Sequence, residues 1–276
     1  MIKQWKKVTL ENLNKDPELL LPDLYDRGAL GLEQNDESIT VYFPESTDVV
    51  ELNKFITEKM QKYKLIGSVK AAILKDENWH LAWKDNFQPI RISDKIEILP
   101  AWIPKTENAD ITIKINPGMA FGTGTHATTQ IALRLLEKHI RQEWKILDAG
   151  CGSGILTIAA LRLGARYVAA WDISADVKGN FEEHLKLNNV ENNYSLEIGD
   201  VTELNEYPYD MILSNIQKNV NIKLLQRTTE TDYGGLILFT GLLKEEEKEF
   251  RSKLEQSNKQ IIDEMEIQEW VGLIAN

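Results

Sequence analysis

The stretch from Lys145 to Leu163 limits the fold more than any other. A strand-like run, Ile146-Leu147-Asp148, passes directly into Ala149-Gly150-Cys151-Gly152-Ser153-Gly154, and an apolar helix follows from Ile155 to Leu163. Glycines in such a turn reach backbone angles closed to other residues and let a ligand approach the main chain at the positive end of a helix. The alternation continues downstream. Tyr167 to Asp172 reads as a strand and Ala175 to Asn188 as a helix; Ser195 to Ile198 reads as a further strand. Tyr209 to Ser214 then precedes a helix over Val220 to Thr231, and Leu236 to Thr240 precedes one over Lys244 to Ser257. Repeated βα units predict an α/β fold, a mostly parallel sheet covered on both faces, with ligands bound at the carboxyl ends of its strands. The last two strands, Lys259 to Ile267 and Trp270 to Ala275, flank the short turn Gln268-Glu269 and are expected to pair antiparallel.

The N-terminal part follows another rhythm. Residues 1–75 read as strand, helix, strand, strand, helix, strand: Trp5 to Leu10, Pro17 to Arg27, Leu30 to Glu33, Ser38 to Phe43, Asp48 to Tyr63 and Leu65 to Leu74. That order is the split βαβ pattern of a small α+β, ferredoxin-like domain. Asp16-Pro17 and Thr47-Asp48 mark the helix starts. Residues 76–108 form a connecting region. Within it Asn78 to Phe87 is expected to be a short helix with Trp79 and Trp83 on one side, packed into a core. Pro89 to Pro104 alternates about Ser93-Asp94 as a hairpin joining the small domain to the rest, and the boundary falls near Pro104 to Asn108. Residues 109–276 hold the βα repeats.

Composition narrows the chemistry. Cys151 is the single cysteine, so neither an intramolecular disulfide nor a thiolate metal cluster is available. His80, His126, His139 and His184 show no ligand spacing, and no metal is expected. A net charge of -11 opposes a surface that tracks phosphates, disfavours nucleic acid as substrate and favours a basic partner. No apolar run approaches the roughly 20 residues needed to span a bilayer, and the Met-Ile-Lys-Gln-Trp-Lys-Lys start lacks the pattern of a secretory signal. A cytoplasmic protein, with no membrane partner, is the expectation.

Spacing decides between cofactors. A dinucleotide fingerprint requires a small residue at position 155, where this chain has Ile155; the pattern is GxGxG. That favours an S-adenosylmethionine-dependent methyltransferase over a dehydrogenase. Asp172, at the end of the next strand, accepts ribose hydroxyls in either class. Asp200 ends the third strand of the series, as a ligand contact or a turn-capping residue, and Asn215 follows the fourth, beside the reactive end of a ligand. The segment Asn116-Pro117-Gly118-Met119-Ala120-Phe121-Gly122-Thr123-Gly124-Thr125-His126-Ala127-Thr128-Thr129 is rich in small donors and is placed to cap a cofactor, the alternative being a flexible connection. His126 is a candidate proton acceptor, with loop packing or capping as the plainer role. Cys151 reads as a small filler of the turn.

NPGMAFGTGTHATT followed by DAGCGSGIL resembles the bacterial ribosomal protein L11 methyltransferase family over nearly the whole chain. NWHLAWKDNFQPIRI is similar to its connecting region, and SNI and FTGLL to its later strands. The resemblance implies a class I methyltransferase domain with a Rossmann-like sheet, preceded by a substrate-recognition domain. It also implies S-adenosylmethionine as cofactor, held by Thr129, Gly150, Asp172 and Asn215. The implied reaction is methylation of the N-terminal α-amino group and lysine side chains of L11. The chain departs from common family residues at Asn116, Ala127, Lys218 and Asn219, the last two near the methyl-acceptor side. Two alternatives stand beside this reading: a methyltransferase of the same fold acting on another protein or a small amine, and a module that binds cofactor or a ribosomal component without catalysis.

Overall fold

In the computed structural model, the described residues are 4–11, 17–35, 38–44, 46–75, 88–104, 109–116 and 124–276. They fall into two units: one holds the described residues up to Gln88, the other those from Pro89 onward. The expected helix over 78–87 with its two tryptophans, the Asp16 cap, linker residues 105–108 and loop residues 117–123 lie outside the described residues.

The smaller unit is built from β1 (Gln4–Glu11), α1 (Leu21–Asp26), β2 (Gly31–Asn35), β3 (Ser38–Pro44), α2 (Val49–Lys62) and β4 (Ser68–Lys75). Its sheet runs β2-β3-β1-β4 with every pair antiparallel, the ferredoxin-like order. The start of α2 has a local cause: the Asp48 side chain accepts from the N–H groups of Val50 and Glu51, satisfying donors that have no partner within the helix. Leu52, Ile56 and Met60 then recur every fourth residue and bury one stripe against Val8, Leu10, Ile39, Val41 and Phe43. Residues 17–27 do not form one helix as expected: Pro17–Leu20 is a 3-10 turn, and Pro22 stands in the first turn of α1, where its missing N–H costs nothing.

The larger unit begins with β5 (Ile90–Arg91), β6 (Ile96–Pro100) and β7 (Ile111–Ile115). The hairpin of β5 and β6 is present, but it is part of the larger unit. Its second strand pairs in parallel with β7, and Ile92, Ile96, Ile98, Ile113 and Ile115 enter the main core. Local periodicity shows that these residues are strands; it carries no information about a partner beyond the loop.

The βα repeats follow as α3 (Ala127–His139), β8 (Lys145–Ala149), α4 (Ile155–Arg162), β9 (Tyr167–Asp172), α5 (Val177–Leu187), β10 (Tyr194–Ile198), β11 (Met211–Asn215), α6 (Lys218–Glu230), β12 (Leu236–Leu243), α7 (Lys244–Gln256), β13 (Ile261–Ile267) and β14 (Trp270–Ala275). Strand order is β10-β9-β8-β11-β12-β14-β13. Pairs through β12 are parallel; β14 is antiparallel to both its neighbours. The order reverses direction at β8, so the crevice where ligands bind in such sheets opens between the ends of β8 and β11. Buried side chains cover both faces of the sheet in two clusters, as expected for parallel strands.

Candidate active site

The glycine turn begins where β8 ends. Gly150 has φ 74° and Gly154 φ 78°, both in the left-handed region that glycine adopts without a steric penalty. Space forbids larger residues as well: a Cβ on Gly150 would come within 2.3 Å of Ile216 Cγ2, and one on Gly154 within 2.8 Å of the Phe181 ring. The N–H groups of Gly150 and Cys151 donate to Trp171 O at 2.8 and 2.9 Å, so the turn is stitched to the end of β9. There Asp172 accepts from Gly152 N at 3.0 Å through Oδ2 and from Ser174 N at 3.0 Å through Oδ1. Two backbone donors fix the carboxylate, which stays partly exposed with lone pairs to spare.

On the β11 side a second group assembles. Asn215 Nδ2 lies 3.4 Å from Thr129 Oγ1 on α3, and Thr240 Oγ1 donates to Asn215 Oδ1 at 2.8 Å. Thr129 and Thr240 are fully buried, so the amide of Asn215 is held between two elements that sequence separates widely. The structure therefore brings Gly150 and Asp172 together through the turn, and Thr129 and Asn215 together by hydrogen bond. Ile216 links the pairs by packing on Gly150.

His126 caps α3: its Nδ1 accepts from Thr128 N at 3.1 Å and lies 2.8 Å from Thr128 Oγ1. Burial pushes its imidazole down to about 4, and its ring packs 4.9 Å from that of Trp270. A neutral imidazole with Nδ1 so engaged is a capping group. Asp200 likewise caps the short turn Val201–Glu203, accepting from Thr202 N at 2.9 Å. Cys151 is buried, and burial raises its thiol, so it is no nucleophile. Lys218, at the first position of α6, pairs with Glu246 and Glu249 of α7.

Two features escaped sequence reasoning. Asp148, one residue before the end of β8, is 1% exposed; Thr157 Oγ1 donates to its Oδ2 at 2.6 Å, while Oδ1 is buried without a hydrogen-bond partner. Burial raises this carboxyl to about 7, with Asp172 adding to the effect. A lone acidic residue inside an otherwise apolar strand was the available signal. The second is His184 of α5, which bridges the Ser153 carbonyl, 3.0 Å from Nδ1, and the Asn116 N–H, 3.0 Å from Nε2. One imidazole thereby anchors both the glycine turn and the root of the segment that precedes α3. Among the described residues no cluster of His, Cys, Asp or Glu could hold a metal ion, and no helix is long and apolar enough to cross a membrane.

A glycine turn on the first strand of the βα series, a fixed carboxylate on the next and a single reversed strand near the sheet edge define a class I methyltransferase. A family model described as ribosomal protein L11 methyltransferase (PrmA) matches residues 8–276. The ribosomal protein L11 methyltransferase of Ruminiclostridium cellulolyticum is 34% identical over 94% of this chain and 88% of its own length. That of Limosilactobacillus reuteri is 31% identical over 92% and 82%. The crystal structure of a ribosomal protein L11 methylase from Lactobacillus delbrueckii subsp. bulgaricus superposes with a TM-score of 0.63 at 28% identity, covering 69% of this chain and 98% of that one. The chain belongs to the ribosomal protein L11 methyltransferase family, and it is an enzyme of methyl transfer.

Proposed function

We propose that the enzyme transfers methyl groups from S-adenosylmethionine to the N-terminal α-amino group and lysine ε-amino groups of ribosomal protein L11, in the cytoplasm. The observation that carries this reading is the reach of the family match, which runs through both units and so includes the small domain as well as the glycine turn. In this reading the small domain, residues 1–75, recognises the protein substrate. A net charge of -11 favours approach of a basic protein and disfavours nucleic acid.

The residues present suit the cofactor. Gly150 and Gly154, both left-handed, shape the turn whose backbone would receive it, and Asp172 is already oriented with acceptor capacity for ribose hydroxyls. Thr129 and Asn215 would hold its amino-acid end. When bound, S-adenosylmethionine supplies a methyl group on a positively charged sulfur. The protein then has to bring an amine lone pair into line with that methyl and keep water out, a task of positioning. Asn215, steadied by Thr129 and Thr240, is the side chain that orients the junction. A lysine amine, about 10.4 in water, reacts only when neutral, and desolvation on entering the site favours that form. The α-amine, nearer 8, needs less assistance. No strong base is required, in keeping with the capping role of His126.

Intact-mass measurement of purified L11, incubated with the enzyme and S-adenosylmethionine, tests the reading. Mass should rise in whole methyl increments, mapping to the N-terminus and to lysines. An unchanged mass with active, cofactor-binding enzyme would remove L11 as the substrate.

A further inference from the structure

Asn221 of α6 is 0% exposed, and its oxygen and both its N–H donors are engaged at one place. Its Oδ1 accepts from Ser214 Oγ at 2.6 Å, while its Nδ2 donates to Ile216 O at 3.0 Å and to Thr240 O at 2.8 Å. These partners surround Asn215: Ser214 precedes it, Ile216 follows it, and Thr240 is its hydrogen-bond donor. The same short turn is pressed from two further sides. Ile216 packs against Gly150, and its carbonyl stands where a Cβ on Gly241 would lie, 2.2 Å away.

An amide is suited to this place. Two carbonyls and a hydroxyl converge on it, and an Asn side chain meets them with two N–H donors and one acceptor oxygen. Hydrogen bonds shielded from water hold their geometry because each group left unpaired there would bear the full cost of desolvation. A side chain needed only to fill the core between α6 and the sheet would make none of these bonds. We propose that Asn221 is a positioning residue for methyl transfer: it acts through the Ser214-Asn215-Ile216 turn and sets where the Asn215 amide meets donor and acceptor. The proposal rests on the reading of Asn215 given above. A displacement of about 1 Å at a reacting centre costs on the order of 100-fold in rate, so a residue that touches neither ligand can still govern turnover.

The full-length enzyme, assayed with S-adenosylmethionine and L11, decides the matter in a double-mutant cycle. Asn221→Ala should lower kcat by about 30-fold or more, and in an Asn215→Ala background the same change should cost less than about 3-fold, because its route of action is already gone. Thr228→Ala, at another fully buried position on α6 whose hydroxyl bonds only Leu225 O, controls for general loosening of the helix and should leave kcat unchanged. If Asn221→Ala does not fold, Ser214→Ala carries the test. It removes a single anchor of the amide, and a kcat drop of about 3- to 10-fold is expected. Three results overturn the proposal: kcat for Asn221→Ala equal to that of Thr228→Ala, losses that multiply independently with Asn215→Ala, or an unaffected Ser214→Ala where that variant stands in. A fully active Asn215→Ala would instead sink the reading of Asn215 itself, and this proposal with it.

Discussion

The two ends of the seven-stranded sheet are built from the same strands and differ in almost every other respect. At the carboxyl end, polar side chains are buried and, Asp148 Oδ1 excepted, hydrogen-bonded. Thr129, Asp148, Ser153, Thr157, His184, Ser214, Asn221 and Thr240 are all nearly inaccessible; the bonds of His184 to Ser153 and of Asn215 to Thr129 and Thr240 join elements far apart in sequence, while those of Thr157 to Asp148 and of Ser214 to Asn221 tie adjacent ones. At the amino end, a shallow cleft of about 620 Å³ is lined by Glu143, Lys145, Arg166, Glu206, Asp210 and Asp232 among others, most of them exposed. Asp210 there accepts from Lys145 N at 2.7 Å, tying neighbouring strand starts. Buried polar networks are destabilising unless complete, so a chain keeps one where position matters. The amino end shows what the sheet requires for stability alone, and the carboxyl end what it carries in addition.

Substitutions at the two ends should separate accordingly. The largest effect belongs to Asp172→Ala, which takes away the carboxylate that Gly152 and Ser174 orient: cofactor affinity by calorimetry should fall by about 100-fold or more, since charge-assisted bonds of this kind are each worth roughly 1.5–3 kcal/mol. Unchanged affinity would show that this end is organised for something other than the cofactor.

Asp148→Asn comes next and works through pH. The folded carboxyl is raised to about 7 from an ordinary value of 3.8, so the native state holds a proton that the unfolded chain has released. Stability of the ligand-free enzyme should therefore decline as pH rises from about 4 to about 7 and level off beyond, by a few kcal/mol in all. The asparagine variant should lose that slope in denaturant titrations, and an identical slope in the two proteins would count against a raised carboxyl. The smallest effect is expected for Asp210→Asn at the amino end: about 0.5–1 kcal/mol of stability for a weakened, exposed hydrogen bond, with turnover unaltered. A large loss of activity there would erase the contrast between the two ends.

Much of the fold was legible because its signals are local. β9 and β14 run over the residues expected of them, Tyr167 to Asp172 and Trp270 to Ala275, where apolar runs meet clear turn residues. The ferredoxin-like order follows from the succession of elements. Errors cluster where geometry outside the window intervenes. β12 continues to Leu243, beyond the expected Thr240, through a shift in pairing between Phe239 and Leu242 that lets it follow β14. The hairpin near Ser93 was visible, but its attachment to β7 was not.

The site divides in the same way. Gly150 stood out through spacing, while Thr129, Asp172 and Asn215 gained meaning only from their order and from resemblance. Asn221 looked like any polar residue on a helix, and nothing within four positions of it announces Thr240. Residues defined by what reaches them from elsewhere leave no local trace.

The α5 face that carries His184 has one more effect, on how molecules of this protein meet each other. β7 is the outer strand of its three-stranded sheet, and such strands offer unpaired backbone groups to any extended chain nearby. Here Asn188 Oδ1 accepts from Lys114 N at 2.8 Å and its Nδ2 donates to Lys114 O at 2.7 Å, as a neighbouring strand would, while His184 takes the N–H of Asn116. Two side chains from the last turn of α5 and its cap thus occupy backbone groups of an edge that could otherwise template pairing with another strand.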